Sequence, residues 1–223
     1  MSFIVVKNVC FSYIKNQPVL HNINISLEQK ECTVIRGENG SGKTTLGKLI
    51  ASILPPLKGN VFIGGKCTSS LSLSDIGKQI GYLFQNPERQ LFAATVYDEL
   101  SFALDFNGID KHYIDTAVTA LLKKIELYHL KDVFPYHLSY GEKKRLAIAS
   151  LLINKPQYLI LDEPTTGLDS LRKSILSDFL SDLLQEGIGM AVITHDQSFI
   201  KKHAQRIITL SGGEVFEDYR LQS

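Results

Sequence analysis

Residues 32–54 of the chain read CTVIRGENGSGKTTLGKLIASIL. The apolar and β-branched start predicts a short buried strand at residues 32–36. A glycine-rich turn follows it. Leucine and isoleucine then recur at helical spacing over residues 46–54, until Pro55 and Pro56 stop the pattern. A strand that runs through a glycine-rich turn into a helix predicts an α/β fold.

The turn at residues 37–44 has the spacing of a phosphate-binding loop, the Walker A pattern. Its glycines let successive backbone N–H groups point at one anion, and the following helix adds its positive N-terminal end. Lys43 is placed to reach the β- and γ-phosphates of a nucleoside triphosphate, and the Thr44 hydroxyl to bind Mg²⁺. The predicted nucleotide-binding residues of this segment are Gly37, Glu38, Asn39, Gly40, Ser41, Gly42, Lys43, Thr44 and Thr45. A glycine-rich turn that arose by chance is the alternative, and the strand before it and helix after it argue against that.

A pair of acidic residues follows a second apolar stretch. Residues 158–161 read YLIL, as a central parallel strand should, and Asp162 and Glu163 come directly after it. Ligands of open α/β sheets bind at the carboxyl ends of the strands. Asp162 is therefore placed to hold Mg²⁺, and Glu163 to polarise an attacking water as general base. The alternative is that two acidic residues merely end a strand and begin a polar loop.

Further motifs follow in order. Residues 138–142, LSYGE, resemble the signature motif of ABC ATPases, usually LSGGQ, and they precede the acidic pair as in that family. Four other positions also match the family pattern: Tyr13 (the aromatic that stacks on adenine), Gln85 (the Q-loop), Asp169 (the D-loop, Gly167-Leu168-Asp169) and His195 (the switch histidine). The resemblance covers essentially the whole chain and identifies it as a member of the ABC ATPases.

The resemblance implies a RecA-like P-loop core with an N-terminal antiparallel β region and an inserted α-helical subdomain. Helical patterns at residues 98–107, 113–127 and 141–153 agree with it. We therefore expect one ABC ATPase domain over residues 1–223. Its core would take residues 1–86 and 156–223, and its helical subdomain residues 87–155.

The resemblance also implies a composite site, in which two subunits arranged head to tail hold ATP between them. Lys43 of one chain would then face Ser139 and Gly141 of the other. The implied catalytic residues are Glu163, His195, Lys43 and Gln85. The implied Mg²⁺ ligands are Thr44, Gln85 and Asp162. Tyr13, Ser139, Gly141 and Asp169 would bind ATP together with the phosphate loop.

Each of these residues has a plain structural alternative. Tyr13 could be an ordinary strand aromatic, Gln85 a polar loop residue and His195 a structural histidine. Ser139 and Glu142 have the spacing of a capping box, so the serine could serve only its helix. One departure from the family matters: Tyr140 stands where the signature usually has glycine. We hypothesise that it weakens or remodels the site, as in an asymmetric heterodimer with a second ATPase.

Residues 85–92, QNPERQLF, resemble a segment of the energy-coupling-factor (ECF) ATPases. That branch powers uptake of vitamins or transition-metal ions and docks a transmembrane subunit beside the Q-loop. Leu91, Phe92 and Val96 could form an apolar floor for that partner, or they could be core residues of the helical subdomain. The cargo specificity would lie in another chain.

Composition bears on the remaining alternatives. The 44% hydrophobic content and net charge of +1 show no basic stripe that would favour nucleic acid. No apolar run approaches about 18 residues, the start lacks a signal-peptide pattern, and three separated cysteines fit a reducing compartment. We expect a peripheral protein at the cytoplasmic face of the cell membrane. A soluble ABC ATPase acting on DNA or the ribosome is the main alternative, but the long coiled-coil or zinc-bearing insertions of such proteins are not seen. The third alternative is a nucleotide-binding regulator that no longer hydrolyses ATP. The complete set of Lys43, Asp162, Glu163 and His195 argues against it.

Overall fold

The computed structural model describes residues 2–221. Met1 and residues 222–223, which the single-domain prediction includes, lie outside the described part. The strands are β1 (Ser2–Ile14), β2 (Gln17–Glu28), β3 (Cys32–Gly37), β4 (Lys58–Ile63), β5 (Lys66–Cys67), β6 (Ile80–Leu83), β7 (Tyr158–Asp162), β8 (Gly189–Ile193), β9 (Arg206–Ser211) and β10 (Glu214–Arg220). The α-helices are α1 (Lys43–Ile50), α2 (Leu73–Gly77), α3 (Val96–Phe106), α4 (Lys111–Lys124), α5 (Tyr140–Leu152), α6 (Ser170–Gln185) and α7 (Gln197–His203).

A six-stranded sheet with the order β10-β9-β3-β8-β7-β6 forms the centre of the fold. β9, β3, β8, β7 and β6 run parallel, and β10 pairs antiparallel with β9 at one edge. Val192 of β8 pairs with Val34 of β3 on one side and with Leu161 of β7 on the other. This register brings the carboxyl ends of the three strands to one edge of the sheet, where α/β proteins bind their ligands.

Both faces of this sheet are covered. Leu159 and Leu161 of β7 pack into an apolar cluster with α3, α4, α5 and α6. Tyr158 and Ile160, which point to the opposite face, belong to a second cluster with α1 and the four-stranded sheet. All four side chains are fully buried. Burial on both sides explains why a continuous apolar run, rather than an alternating one, predicted this strand.

The four-stranded sheet is antiparallel, with the order β2-β1-β4-β5. A seam of hydrogen bonds joins it to the six-stranded sheet. Arg206 of β9 donates to both carboxylate oxygens of Asp218 on β10, at 2.7 and 2.6 Å, and to the Ser26 carbonyl of β2. Its hydrogen bond to Asp218 raises the pKa of Arg206. The His21 amide donates to the Gly213 carbonyl of the β9–β10 turn at 2.9 Å.

The prediction of an α/β fold with an antiparallel N-terminal region is confirmed. α1 ends at Ile50, four residues earlier than its apolar pattern predicted, because the chain turns at Ser52, which has a positive φ of 56°. The short elements α2, α7, β4 and β5 were not predicted. No helix in residues 2–221 combines the length and apolar character needed to cross a bilayer.

Between β6 and β7 the described chain forms α3, α4 and α5, with short 3₁₀ turns. Leu91 and Val96 are buried in the core of this helical region. They are therefore core residues and not part of an exposed apolar floor for a partner. Phe92 is 62% exposed and remains available on the surface.

Candidate functional site

The phosphate loop connects β3 to α1 and curls tightly. Gly42 caps α1 in the left-handed conformation, with φ 97°, and a Cβ there would lie 2.5 Å from Leu20 Cδ2. Glycine is therefore required by both conformation and space. Lys43 Nζ donates to the carbonyls of Gly37 at 2.8 Å and Glu38 at 2.7 Å. Burial lowers the pKa of Lys43, and the charges of Glu163 and Asp162 oppose that effect.

Asp162 lies at the end of β7, directly beside the start of α1. Thr44 Oγ1 donates to its Oδ2 at 2.8 Å, and the Tyr82 hydroxyl donates to the same oxygen at 3.2 Å. Burial raises the pKa of Asp162 against these hydrogen bonds. Its other oxygen, Oδ1, is buried and has no hydrogen-bond partner within residues 2–221. A buried carboxylate oxygen of this kind next to a threonine hydroxyl fits a hard divalent cation such as Mg²⁺.

Glu163 occupies a strained backbone position. Its φ is 50°, a left-handed value that non-glycine residues rarely adopt. Its amide donates to the Ile193 carbonyl of β8 at 2.8 Å, and Thr166 Oγ1 donates to its Oε2 at 2.9 Å. His195 Nε2 lies 3.9 Å from the other carboxylate oxygen, Oε1. The neighbouring strand and the following loop thus hold the carboxylate next to the histidine.

One pocket collects most of the expected residues. Its lining is Val19, Asn39, Gly40, Gly42, Lys43, Thr44, Thr45, Gln85, Asp162, Glu163, Ile193 and His195. Four separate parts of the sequence therefore meet here: the phosphate loop, Gln85 after β6, Asp162 and Glu163 at the end of β7, and His195 after β8. The donors, the carboxylates and the histidine are arranged as a polar cleft that can take a phosphate chain.

Tyr13 lies near this pocket on the end of β1. Its hydroxyl is 3.2 Å from Thr45 Oγ1, and its ring packs edge to face against Phe11 with centroids 4.9 Å apart. The side chain is 57% exposed. An exposed, fixed aromatic ring next to a phosphate loop is a suitable platform for a base.

Ser139, Gly141 and Asp169 lie outside the lining of this pocket. The capping box predicted for Ser139 and Glu142 is present: the Glu142 carboxylate accepts from the Ser139 amide at 2.8 Å. Gly141 is buried, and a Cβ there would lie 2.9 Å from Arg172 Cδ. Asp169 caps α6 and forms an ion pair with Arg172 at 2.6 Å. The structure therefore gives Ser139 and Asp169 a local capping role within their own chain.

Two residues of α5 make contacts that the sequence motifs do not indicate. The Tyr140 hydroxyl donates to the Gln85 carbonyl at 3.2 Å, and its ring packs on Gly167. Lys144 is fully buried, and burial lowers its pKa to about 8 against the charges of Glu163 and Asp162. Helical spacing carries a signal for this, because Lys144 precedes the buried Ile148 by one turn.

Comparisons with known proteins identify the family of the chain. Residues 20–166 match the family model described as ABC transporter. A Pyrococcus furiosus protein, named as an ABC transporter ATP-binding protein, is 40% identical over 210 residues, which are 94% of this chain and 80% of that protein. A Methanosarcina acetivorans protein with the same kind of name is 40% identical over 202 residues, and the match covers 89% of this chain but only 38% of that protein.

Two solved structures are similar over almost the whole chain. One is cbiO1 from Clostridium perfringens, described as part of the ABC transporter complex cbiONQ, with 32% identity, a TM-score of 0.88 and coverage of 98% of this chain and 88% of that chain. The other is the ATP-binding cassette MJ0796 in a dimeric post-hydrolysis state bound to ADP and Pi, with 28% identity, a TM-score of 0.88 and 99% coverage of both chains. The chain therefore belongs to the ABC transporter family, as an ATP-binding ATPase.

Proposed function

We propose that this chain is the ATP-hydrolysing motor subunit of an importer, in an ECF complex that takes up a vitamin or a transition-metal ion. The observation that carries the proposal is the convergence of Lys43, the Thr44–Asp162 pair and Glu163 in one polar pocket. The ECF assignment is supported by the sequence of residues 85–92 and by the similarity to cbiO1, which is described as part of a transporter complex.

In the proposed binding mode, adenine stacks on Tyr13 and the phosphates lie on the N–H groups of residues 37–45. Lys43 would exchange its two loop carbonyls for phosphate oxygens. Thr44, Asp162 and Gln85 would hold Mg²⁺, which shields the charge of the β- and γ-phosphates. The Asp162 oxygen without a partner supports this assignment, because binding a cation would compensate for its burial.

For hydrolysis, we assign Glu163 as the group that orients and polarises the attacking water. His195, 3.9 Å from its carboxylate, would contact the γ-phosphate or that water. Gln85 follows β6 at the rim of the pocket and would sense the γ-phosphate. The strained backbone of Glu163 supports a functional role, because such positions concentrate at active sites.

The composite dimer is also part of the proposal. Ser139 and Gly141 start α5 outside the pocket of their own chain, so a second subunit placed head to tail could present them to the nucleotide. The helix start offers a positive end and a hydroxyl to the γ-phosphate. Asp169 would contribute at the same boundary. MJ0796 is described as dimeric, which supports this arrangement.

A transmembrane coupling subunit is the second proposed partner. Three phenylalanines form an exposed ladder on the helical region: Phe92 and Phe102 pack edge to face at 4.9 Å, and Phe102 and Phe106 stack at 6.3 Å. They are 62%, 51% and 83% exposed. Exposed apolar side chains in a row mark an interaction surface. Such docking would keep the chain peripheral, at the cytoplasmic face of the membrane.

We also propose the domain division that the sequence predicted. Residues 1–86 and 156–223 would form the nucleotide-binding core, and residues 87–155 the helical subdomain. Its support is that α3, α4 and α5 follow one another between β6 and β7 and that the helical region buries Leu100, Val118 and Leu122. Limited proteolysis tests it, since cleavage near residues 87 and 155 should be the first to appear.

Replacement of the proposed base tests the mechanism. Glu163→Gln should bind ATP normally but hydrolyse it very slowly, because the amide cannot accept the proton from water. The ATP-bound dimer should then accumulate and elute ahead of the monomer in gel filtration with ATP. Glu214→Gln, an exposed change on β10, is the control and should elute like the parent chain. Elution of Glu163→Gln as monomer only would contradict the composite site.

Purification from membranes tests the partners. The tagged chain should co-purify with a transmembrane protein, and with a second ATPase if the dimer is mixed. A triple change of Phe92, Phe102 and Phe106 to Ser should abolish capture of the transmembrane protein without changing ATP affinity. Capture of nucleic acid or ribosomes in place of membrane proteins would favour the alternative class of ABC ATPases.

A further inference from the structure

Lys144 has an unusual environment for a lysine. The whole residue has no exposed surface, and its Nζ donates to three backbone carbonyls: Glu163 at 2.8 Å, Pro164 at 2.9 Å and Thr166 at 2.7 Å. An ammonium group has three protons, and all three are used here. Its polar contacts therefore all go to one stretch of backbone, the loop that follows β7.

Burying an ammonium is costly. The direct hydrogen bonds that compensate for it here come from backbone carbonyls, while the carboxylates of Glu163 and Asp162 contribute through their charge. Methionine would fill the same space without that cost. The lysine therefore contributes the three directed hydrogen bonds that hold the loop.

The loop at residues 163–167 needs such support. Glu163 has a left-handed φ of 50°, and a non-glycine residue keeps this conformation only where its surroundings enforce it. Thr166 Oγ1 donates to the Glu163 carboxylate at 2.9 Å. Lys144 binds the carbonyls of both residues, so it holds the strained peptide and also the threonine that fixes the side chain.

Tyr140 covers the same group from one helical turn earlier. Its ring centroid lies 5.1 Å from Lys144 Nζ, within range of a cation–π interaction. The ring also packs on Gly167, where a Cβ would lie 2.8 Å from Tyr140 Cε1. The first two turns of α5 therefore contact the loop at its beginning, its end and the side facing the tyrosine.

We propose that Lys144 is a positioning residue for Glu163: it sets the conformation of the loop and so places the carboxylate to polarise the water that attacks ATP. The inference rests on the role proposed above for Glu163. It also makes α5 a connection between two sites, because the helix starts at Ser139, assigned to the partner's nucleotide, and one turn later holds the base for its own.

The test replaces Lys144 in the full chain by Met, which keeps the length and removes every donor, and by Gln, which restores two donors. Lys144→Met should lower kcat by on the order of tenfold to a hundredfold, as small misplacements of reacting groups do. Its Kd for ATP should stay within about twofold, since no residue of the phosphate loop is touched. Lys144→Gln should recover part of kcat. Lys143→Met is the control: it changes the neighbouring lysine of α5 and removes that lysine's ion pair with Glu88, which lies outside α5.

A kcat equal to the parent value in folded Lys144→Met would overturn the proposal, and so would a parallel loss of kcat and ATP affinity, which indicates general structural damage. If Lys144→Met does not fold, Lys144→Gln is judged by the same criteria.

Combining Lys144→Met with Glu163→Gln gives a second criterion. If Lys144 acts through Glu163, the double variant should be no slower than Glu163→Gln alone, whereas additive losses contradict that. Full turnover in Glu163→Gln would instead reject the proposed mechanism itself.

Discussion

At the scale of single residues, Tyr140 changes meaning once its contacts are known. The sequence shows only added bulk where the signature usually has glycine. In the structure the ring packs on Gly167 and covers Lys144, and the hydroxyl reaches the Gln85 carbonyl. Tyr140 therefore links the start of α5 to the loops that carry Gln85 and Glu163.

Two substitutions separate these contacts. Tyr140→Phe removes only the hydrogen bond to Gln85, and turnover should fall by a few fold, in line with the loss of about 1 kcal/mol for one neutral hydrogen bond. Tyr140→Gly also uncovers Lys144, and should cost about 2 kcal/mol of stability together with a larger loss of turnover. Urea unfolding and steady-state ATPase assays measure both effects. Parent-like turnover and ATP affinity in Tyr140→Gly would show that the tyrosine has no functional role.

The candidate site could be predicted from the sequence where chemistry dictates the residue type. Gly42 must adopt a left-handed conformation against Leu20, and a carboxylate at the end of β7 faces the phosphate loop. The contacts of Lys144 could not be predicted in the same way. Its spacing from the buried Ile148 indicates a buried helix face, but a run of basic residues ordinarily lies on a solvated one. Its partners are backbone carbonyls, which carry no signature in the sequence.

At the scale of elements, two helices start with the same capping box and allow a matched comparison. Ser139 caps α5 and Ser72 caps the five-residue α2. Ser139→Ala and Ser72→Ala should each lower the free energy of unfolding by about 1 kcal/mol. Only Ser139→Ala should also lower ATP turnover, if the hydroxyl serves the partner's nucleotide. Equal turnover in the two variants would show that Ser139 is a cap and nothing more.

α7 supplies a prediction about pH. Asp196 caps this helix and forms an ion pair with Lys173 at 2.8 Å. Burial opposes its ionisation, but the contact with Lys173 and the hydrogen bonds from Ser198 and the Phe199 amide outweigh burial and hold the pKa of Asp196 well below its usual range.

Since the native pKa lies below the unfolded one, this carboxylate stabilises the fold above the unfolded value of about 3.9 and loses that contribution as pH falls below it. The stability difference between the parent and Asp196→Asn should therefore shrink by about 1 kcal/mol from pH 6 to pH 3 in urea titrations. Asp178→Asn, which removes an exposed partner of Lys202, should show a smaller change. A difference independent of pH would mean that Asp196 contributes only its cap.

Long elements with a clear period were predictable, and short ones were not. The apolar run at residues 158–161 predicted β7, and the helical patterns at residues 113–127 and 141–153 predicted α4 and α5. α2 and α7 have only five and seven residues, too few to show a helical repeat of apolar residues in the sequence. Their start is defined mainly by the capping residues Ser72 and Asp196. The missed strand β4 gains its structure from pairing with β1, a contact between distant parts of the sequence.

At the scale of the whole molecule, a composite site predicts complementation. Lys43→Ala should abolish ATP binding to its own loop, and Ser139→Phe should block the partner's site. Each variant alone should be nearly inactive. A mixed dimer, however, pairs the intact Lys43 of one chain with the intact Ser139 of the other and regains one site. Turnover of the mixture should exceed the mean of the two separate variants.

Mixing each variant with itself at the same total concentration is the control. Turnover equal to the mean would indicate that Lys43 and Ser139 act within one chain. The dimer itself could not be derived from the geometry of a single chain. What the chain does show is that Ser139 and Asp169 lie outside the pocket that holds Lys43.

The hydrogen bonds of Arg206 affect how accurately the four-stranded and the six-stranded sheet are aligned with each other. Tyr13 lies on the four-stranded antiparallel sheet, whereas Lys43 follows a strand of the six-stranded sheet. In the proposed binding mode, the two sheets therefore bind the two ends of one nucleotide. One buried guanidinium, bonded to β10 and to the Ser26 carbonyl, helps to keep those sheets in register. Loss of these hydrogen bonds would change no residue that contacts the nucleotide. It would still let the distance between the base-binding and the phosphate-binding residues vary.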